Sequence, residues 1–157
     1  MRMKLFISGL VVIVALAGFA FVSKSTVQAV SNNHNKKGEG IQFIEADWSK
    51  ALAEAKKQNK LIFLDAYASW CGPCKLLKKN TFPDKAAGEY FNTNFINVAM
   101  DMEKGDGPAL TEKYSVSAYP TLIITDTEGN IITYTQGYIT PTQLIDFGKY
   151  GLSKIKK

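Results

Sequence analysis

The sequence predicts an α/β domain with a mixed central sheet and helices on both faces. Residues 61–64, Leu61, Ile62, Phe63 and Leu64, form an unbroken apolar run between a charged cluster and a polar turn. That is the pattern of a strand buried on both sides. Helical periodicities alternate with such runs in the order β-α-β-α(α)-β-α-β-β-α, which suits a sheet covered on both faces. With 157 residues, 46% of them apolar and 21% charged, the chain is long enough and ordinary enough for one domain with a real core.

The elements follow in order. Residues 41–44 read as a short strand, and Asp47 is placed to cap the helix that follows. Trp48, Ala51, Leu52 and Ala55 repeat at helical spacing and give that helix one apolar face, on which Trp48 is a packing residue. Gln58, Asn59 and Lys60 end it before the buried strand. A helix then runs from Cys71 to Asn80, until Phe82 and Pro83 interrupt it. Asp84 caps a further helix with Ala87, Tyr90 and Phe91 on its face. Residues 95–100 are a strand, 105–108 a loop and 109–114 a short helix. Residues 121–125 and 131–136 are antiparallel strands joined by a turn at 126–130. Thr140, Pro141 and Gln143 carry a capping box with proline at the first position, and Leu144, Phe147 and Gly148 face the sheet.

The N-terminus is of a different kind. Arg2 and Lys4 precede an uncharged, mostly apolar run from Leu5 to Val22, and Val27-Gln28-Ala29 offers small residues at a cleavage position. Residues 1–29 therefore read as an export signal or, uncleaved, as an anchor; the run is close to the length that spans a bilayer. Residues 30–40 are a polar linker. Export places the domain in the periplasm or cell envelope, where cysteines meet oxidising conditions. The formal charge of +5 falls to +2 once Arg2, Lys4 and Lys24 of the signal are set aside, too little to expect nucleic acid as a partner.

Only two cysteines are present, Cys71 and Cys74, in the run Trp70-Cys71-Gly72-Pro73-Cys74-Lys75. A bridge between them closes too small a loop to serve as a staple. Where a buried strand turns into a helix, Cys71 lies among unpaired N–H groups that favour a thiolate, and Cys74 follows one turn on. Pro73 is tolerated because first-turn N–H groups have no intrahelical partner. A structural zinc site wants four ligands, whereas the only histidine, His34, sits in the linker; no metal is expected.

These residues resemble the active site of thioredoxins. Tyr119-Pro120-Thr121, ahead of an apolar strand, resembles their cis-proline loop, and Asp65, six residues before Cys71 at the end of the buried strand, matches their buried aspartate. Gly137 resembles a further glycine of the family. The likeness spans about residues 41–152, and the domain is taken as 41–157. Within the family, Thr81-Phe82-Pro83-Asp84 and Gly137-Tyr138 resemble the exported members, among them the C-terminal periplasmic domain of the Dsb-type transmembrane electron transporter. One departure stands out: a lysine of typical thioredoxins aligns with Asn97.

The resemblance implies a thioredoxin fold and a thiol-disulfide oxidoreductase that reduces protein disulfides. Cys71 would attack, Cys74 would resolve the mixed disulfide and be the more buried thiol, and Asp65, its carboxyl pKa raised by burial, would take the Cys74 proton. Trp70, Gly72, Pro73, Tyr119 and Pro120 would form the surface for the substrate chain. No cofactor is implied beyond the Cys71–Cys74 disulfide, and the partners are disulfide-bearing proteins and a membrane electron donor, met by a monomer. Bland readings stand beside these. Asp65 fits a turn or cap aspartate, Pro120 an ordinary trans turn, Trp70 plain packing and Lys75 a solvated helix lysine. An oxidase or isomerase, or a redox-silent binding module on the same fold, is the alternative function.

Overall fold

The computed structural model describes residues 40–155. The expected export segment 1–29 and all but the last residue of the 30–40 linker lie outside these residues. Eleven elements follow one another: β1 (Ile44–Glu45), α1 (Trp48–Gln58), β2 (Leu61–Tyr67), α2 (Gly72–Leu76), a π-helical turn (Leu77–Thr81), α3 (Lys85–Asn94), β3 (Phe95–Asp101), α4 (Gly107–Tyr114), β4 (Thr121–Thr125), β5 (Ile131–Gln136) and α5 (Pro141–Ser153). The strands form one sheet in the order β1-β3-β2-β4-β5. β1, β3 and β2 run parallel, while β4 is antiparallel to β2 and β5 to β4. The mixed sheet expected from the sequence is present.

Strand alternation sorts the core into two layers. Ile62, Leu64 and Ala66 of β2 pack with Trp48, Ala51 and Ala55 of α1 and with Leu110 and Tyr114 of α4. Leu61 and Phe63 point the other way, into Leu77, Phe82, Ala87, Phe91 and Leu144. Because β2 is central, both its faces are covered, which is why it reads as a continuous apolar run rather than an alternating one. Asp65 has the parity of Phe63 and so faces the layer of α2, α3 and α5.

Local signals account for the element ends. The Asp47 carboxylate accepts from the Lys50 N–H at 2.8 Å and Asp84 from that of Ala87 at 2.9 Å, so both expected caps form. Thr140 and Gln143 close a reciprocal capping box ahead of α5. Asn59 ends α1 in the left-handed region.

Several boundaries differ from expectation, and β3 runs one residue further, to Asp101. β1 is two residues long, not 41–44, because the backbone before it is committed elsewhere. The Ile41 N–H donates to the Phe82 carbonyl at 2.8 Å and the Gln42 N–H to Asn92 Oδ1 at 2.9 Å. β2 continues to Tyr67, since its pairing with β3 runs on to Tyr67 opposite Asp101; Asp65 is thus interior to the strand, not its end. The expected helix through Asn80 gives way after Leu76 to the π turn, closed by the Phe82 N–H on the Leu77 carbonyl at 2.9 Å. That turn keeps Leu77 and Thr81 both buried, and the Thr81 hydroxyl donates to the Ile139 carbonyl at 2.7 Å. Finally α4 begins at Gly107 rather than Ala109. Gly107 lies so close to the Asp101 carbonyl that a Cβ there would collide with it, and Pro108 fits the first turn.

Candidate active site

Buried β2 delivers the chain to the start of α2, and Cys71 is the N-cap residue of that helix. Its Sγ accepts a hydrogen bond from the Cys74 backbone N–H at 3.1 Å. An acceptor at this place holds negative charge well, because the first-turn N–H groups have no other partner and the helix dipole adds to them. Cys71 and Cys74 are joined by a disulfide with Cα atoms 5.4 Å apart. Both cysteines are 2% exposed in this oxidised state, so the expected contrast, with Cys74 the more buried, is not present in it. Gly72 and Pro73, between them, are exposed.

Aromatic side chains surround the pair. Tyr67 and Tyr119 pack against the cluster of Ala68, Cys71 and Cys74. The Tyr119–Pro120 peptide is cis, and Pro120 is buried. The Pro120 carbonyl accepts from the Gly137 N–H at 2.9 Å, and Gly137 holds a φ of 86° that favours glycine. Trp70 is 65% exposed, which excludes plain core packing. Its indole N–H donates to both carboxylate oxygens of Glu103 at 3.0 Å, and its ring meets Tyr119 edge-on at 6.0 Å. Trp70, Tyr119 and the Cys71-Gly72-Pro73-Cys74 turn are thereby brought together, with Pro120 next to Tyr119 in the chain.

Asp65 stands apart from that surface. It is 1% exposed, and neither carboxylate oxygen has a hydrogen-bond partner among the described residues. Burial pushes its pKa up to about 7, Lys78 opposing the shift and Glu45 adding to it. A turn or cap aspartate would hydrogen-bond its own backbone and stay near its ordinary value, so that reading does not hold. Asp65 lines a cavity of about 280 Å³ together with Glu45, Lys78, Phe43 and Phe82.

Asn97, at the position of the family's lysine, does not reach Asp65. Its amide donates to the Gln42 carbonyl at 3.2 Å and to Asn92 Oδ1 at 3.1 Å. Lys75 is exposed, as a solvated helix lysine should be. Three residues escaped the sequence reading: Tyr67, Lys78 and Glu103. Glu103 carries no local signal, since it meets Trp70 only through the loop after β3. Lys78 could have been placed beside Cys74, one helical turn earlier, but a π turn alters which face a residue takes.

The thioredoxin-like domain family matches residues 48–152. The thiol:disulfide interchange protein DsbD of Pseudoalteromonas atlantica is 28% identical over 114 residues, 72% of this chain and 19% of that protein. DsbD of Yersinia pestis is 32% identical over 94 residues, 58% of this chain and 16% of that protein. The chain therefore spans about a fifth or less of the length of these curated relatives. Among solved structures, a candidate disulphide-isomerase from Bacteroides thetaiotaomicron is 42% identical with a TM-score of 0.64, covering 72% of this chain and 93% of that one. The oxidised C-terminal domain of Neisseria meningitidis DsbD, 18% identical with a TM-score of 0.59, covers 69% of this chain and 98% of that one and shares the fold. The match from α1 to α5 spans more than half the sequence and takes in every residue of the dithiol surface: the chain belongs to the thioredoxin-like domain family.

Proposed function

We propose that this protein is an exported thiol-disulfide oxidoreductase that reduces protein disulfides through the Cys71–Cys74 dithiol. The observation that carries the reading is the Cys71 sulfur at the head of α2, bridged to Cys74 and accepting its backbone N–H. In the reduced protein that N–H and the helix start favour the Cys71 thiolate. The thiolate attacks one sulfur of a substrate disulfide; an S–S bond forms to Cys71, and the other substrate sulfur leaves as a thiolate. Cys74 then loses its proton, attacks the Cys71 sulfur and expels the second substrate thiolate. Two electrons pass to the substrate, and the enzyme keeps the Cys71–Cys74 disulfide.

Asp65 takes the Cys74 proton, directly or through a water. A carboxyl pKa near 7 suits a group that must both accept and release a proton at neutral pH. Trp70 and Tyr119 wall the site on one side; Gly72, Pro73 and Pro120 complete the surface an extended substrate chain would touch. Both thiols come from one chain, so a monomer suffices, and no cofactor enters the cycle. Return of the dithiol needs two electrons, for which the likeness to DsbD supports a membrane donor. The charged, then apolar, then small-residue pattern of 1–29 supports export.

The resemblance at 42% identity to a candidate disulphide-isomerase favours isomerisation as a second reading. One variant separates the two. Cys74→Ala is expected to lose insulin reduction and to accumulate mixed disulfides on Cys71, since nothing resolves them. Retained reduction at the parent rate would refute the two-thiol mechanism. Lost reduction with full rearrangement of a scrambled disulfide substrate would favour isomerisation, which needs only the attacking thiol. For the direction of electron flow, the redox potential of the pair should lie toward the thioredoxin value of about −270 mV rather than about −120 mV.

A further inference from the structure

The outer strand of the sheet carries an apolar surface that neither core layer takes up. Ile123 of β4 packs into the layer of α1 and α4, and Tyr134 of β5 pairs with it across the ladder, so both point to that side. The register slips by one residue between Ile124 and Thr125, whose partners are Thr133 and Ile131. This bulge carries Ile132 to the opposite layer and turns Ile131 to the side of Tyr134. Among the described residues, none of β5 enters the α1 and α4 layer, and Ile131 and Tyr134 are left 44% and 60% exposed. With Tyr114, Val116 and Ile123 they line a cavity of about 300 Å³. Ser115, Ser117, Thr121 and Gln136 rim it, and among the described residues no charged side chain lines it.

The cavity is continuous with the surface around the dithiol. The Gln136 side-chain amide donates to the Thr121 hydroxyl at 3.4 Å, and these two residues adjoin Gly137 and Pro120, which share a backbone hydrogen bond. Thr121 stands opposite Ala66, toward the Cys71 end of β2, and Thr125 opposite Ile62, at the far end. The cavity thus starts at the cis-proline loop and runs down the hairpin, away from the sulfurs. The turn beyond it is fixed. The Tyr114 hydroxyl donates to the Gly129 carbonyl at 2.9 Å, and the Asp126 carboxylate accepts from the backbone and side-chain N–H groups of Asn130, each at 2.8 Å. We propose that this face is a docking site for an extended, apolar segment of the client protein, and that Ile131 and Tyr134 are specificity-determining residues that select clients not yet folded. The inference deepens the reading of Cys71 and Cys74 as a client-reducing dithiol and rests on it. Uncharged walls favour an apolar side chain, and hydroxyls at the rim suit the backbone amides on either side of it. A segment with free apolar side chains is what a chain offers before it folds. Tyr119 packs against the cysteines, and Ile123 lies about 13 Å further along the chain. The client side chain that fills the cavity therefore stands about four residues from the client cysteine.

The test compares two disulfide-linked peptides, one with leucine about four positions from the cysteine on either side and one with serine in those places. The parent protein should reduce the leucine peptide with a KM about tenfold lower and a similar kcat. The double variant Ile131→Ser/Tyr134→Ser should bring that ratio down to about one. Both side chains are exposed, so the fold does not depend on them. A parent with no preference overturns the proposal, and so does a variant that keeps it. A concentration-dependent dimer in sedimentation that the double variant abolishes would make the face an interface between copies, and overturns it too. Binding is read apart from chemistry with the leucine peptide carrying serine in place of cysteine. Its addition should shift the backbone amide signals of Val116, Ile131 and Tyr134 in NMR spectra, and unmoved signals overturn the proposal. Failure of the functional reading shows instead as a parent that binds this peptide yet reduces neither disulfide.

Discussion

Asp65 is a carboxylic acid walled into the sheet, and its ionisation works against the fold. Its folded pKa of about 7 lies above the unfolded value near 3.9, so between those values the folded state holds more protons than the unfolded one. Stability therefore falls as pH rises from about 4 to about 7 and levels beyond, the full cost being about 4 kcal/mol. Asp65→Asn removes the titration. The variant should gain stability relative to the parent by about 2–3 kcal/mol more at pH 8 than at pH 5. Urea unfolding at the two pH values measures this; a difference that does not grow with pH would mean the carboxylate is solvated. The gain comes with a loss, because the variant has no proton acceptor for Cys74 and should release mixed disulfides slowly. At this scale the sequence was informative wherever chemistry is local. Cys71, Cys74 and the burial of Asp65 follow from one apolar run meeting one CxxC. Lys78 and Glu103 were not legible, because their partners Tyr67 and Trp70 meet them through a π turn and a loop.

The elements exist to aim a few backbone groups at the dithiol. α2 supplies the Cys74 N–H to the Cys71 sulfur. The residue after β5 supplies the Gly137 N–H to the Pro120 carbonyl, which ties the last strand to the loop beside the sulfurs. Gly137 holds this geometry at a φ of 86° with open space where a Cβ would stand, so conformation and not crowding demands glycine. Gly137→Ala should cost about 1–2 kcal/mol and slow insulin reduction by loosening the Pro120 loop. Unchanged thermal unfolding together with an unchanged rate would mean that the loop is held by other contacts. Element types and order were readable from periodicity and caps; β4, β5 and the capping box of α5 stand where the sequence puts them. Boundaries were less readable. β1 is shortened by hydrogen bonds to Phe82 and Asn92, residues about forty to fifty positions away, and β2 is lengthened by pairing with β3. No window of local sequence contains those partners.

Across the whole molecule, what holds the fold and what performs the chemistry are separable. Two apolar layers on either side of β2 bury Phe63, Phe91, Leu64 and Ile123 almost completely, whereas the disulfide joins residues only three apart. Closing so short a loop restricts the unfolded chain little, by about 2 kcal/mol in the chain-entropy estimate, against about 5–15 kcal/mol for a domain. Reduction also frees the Cys71 thiolate, which the Cys74 N–H and the helix start stabilise and so offset part of that loss. A protein that alternates between dithiol and disulfide must fold in both states, and the cores provide for this. The reduced protein should therefore keep its far-ultraviolet circular dichroism, with a Tm lowered by no more than about 10 °C. Thermal unfolding with and without dithiothreitol measures the difference. Loss of secondary structure on reduction would make the bridge a structural staple and remove the basis for reading it as a redox centre.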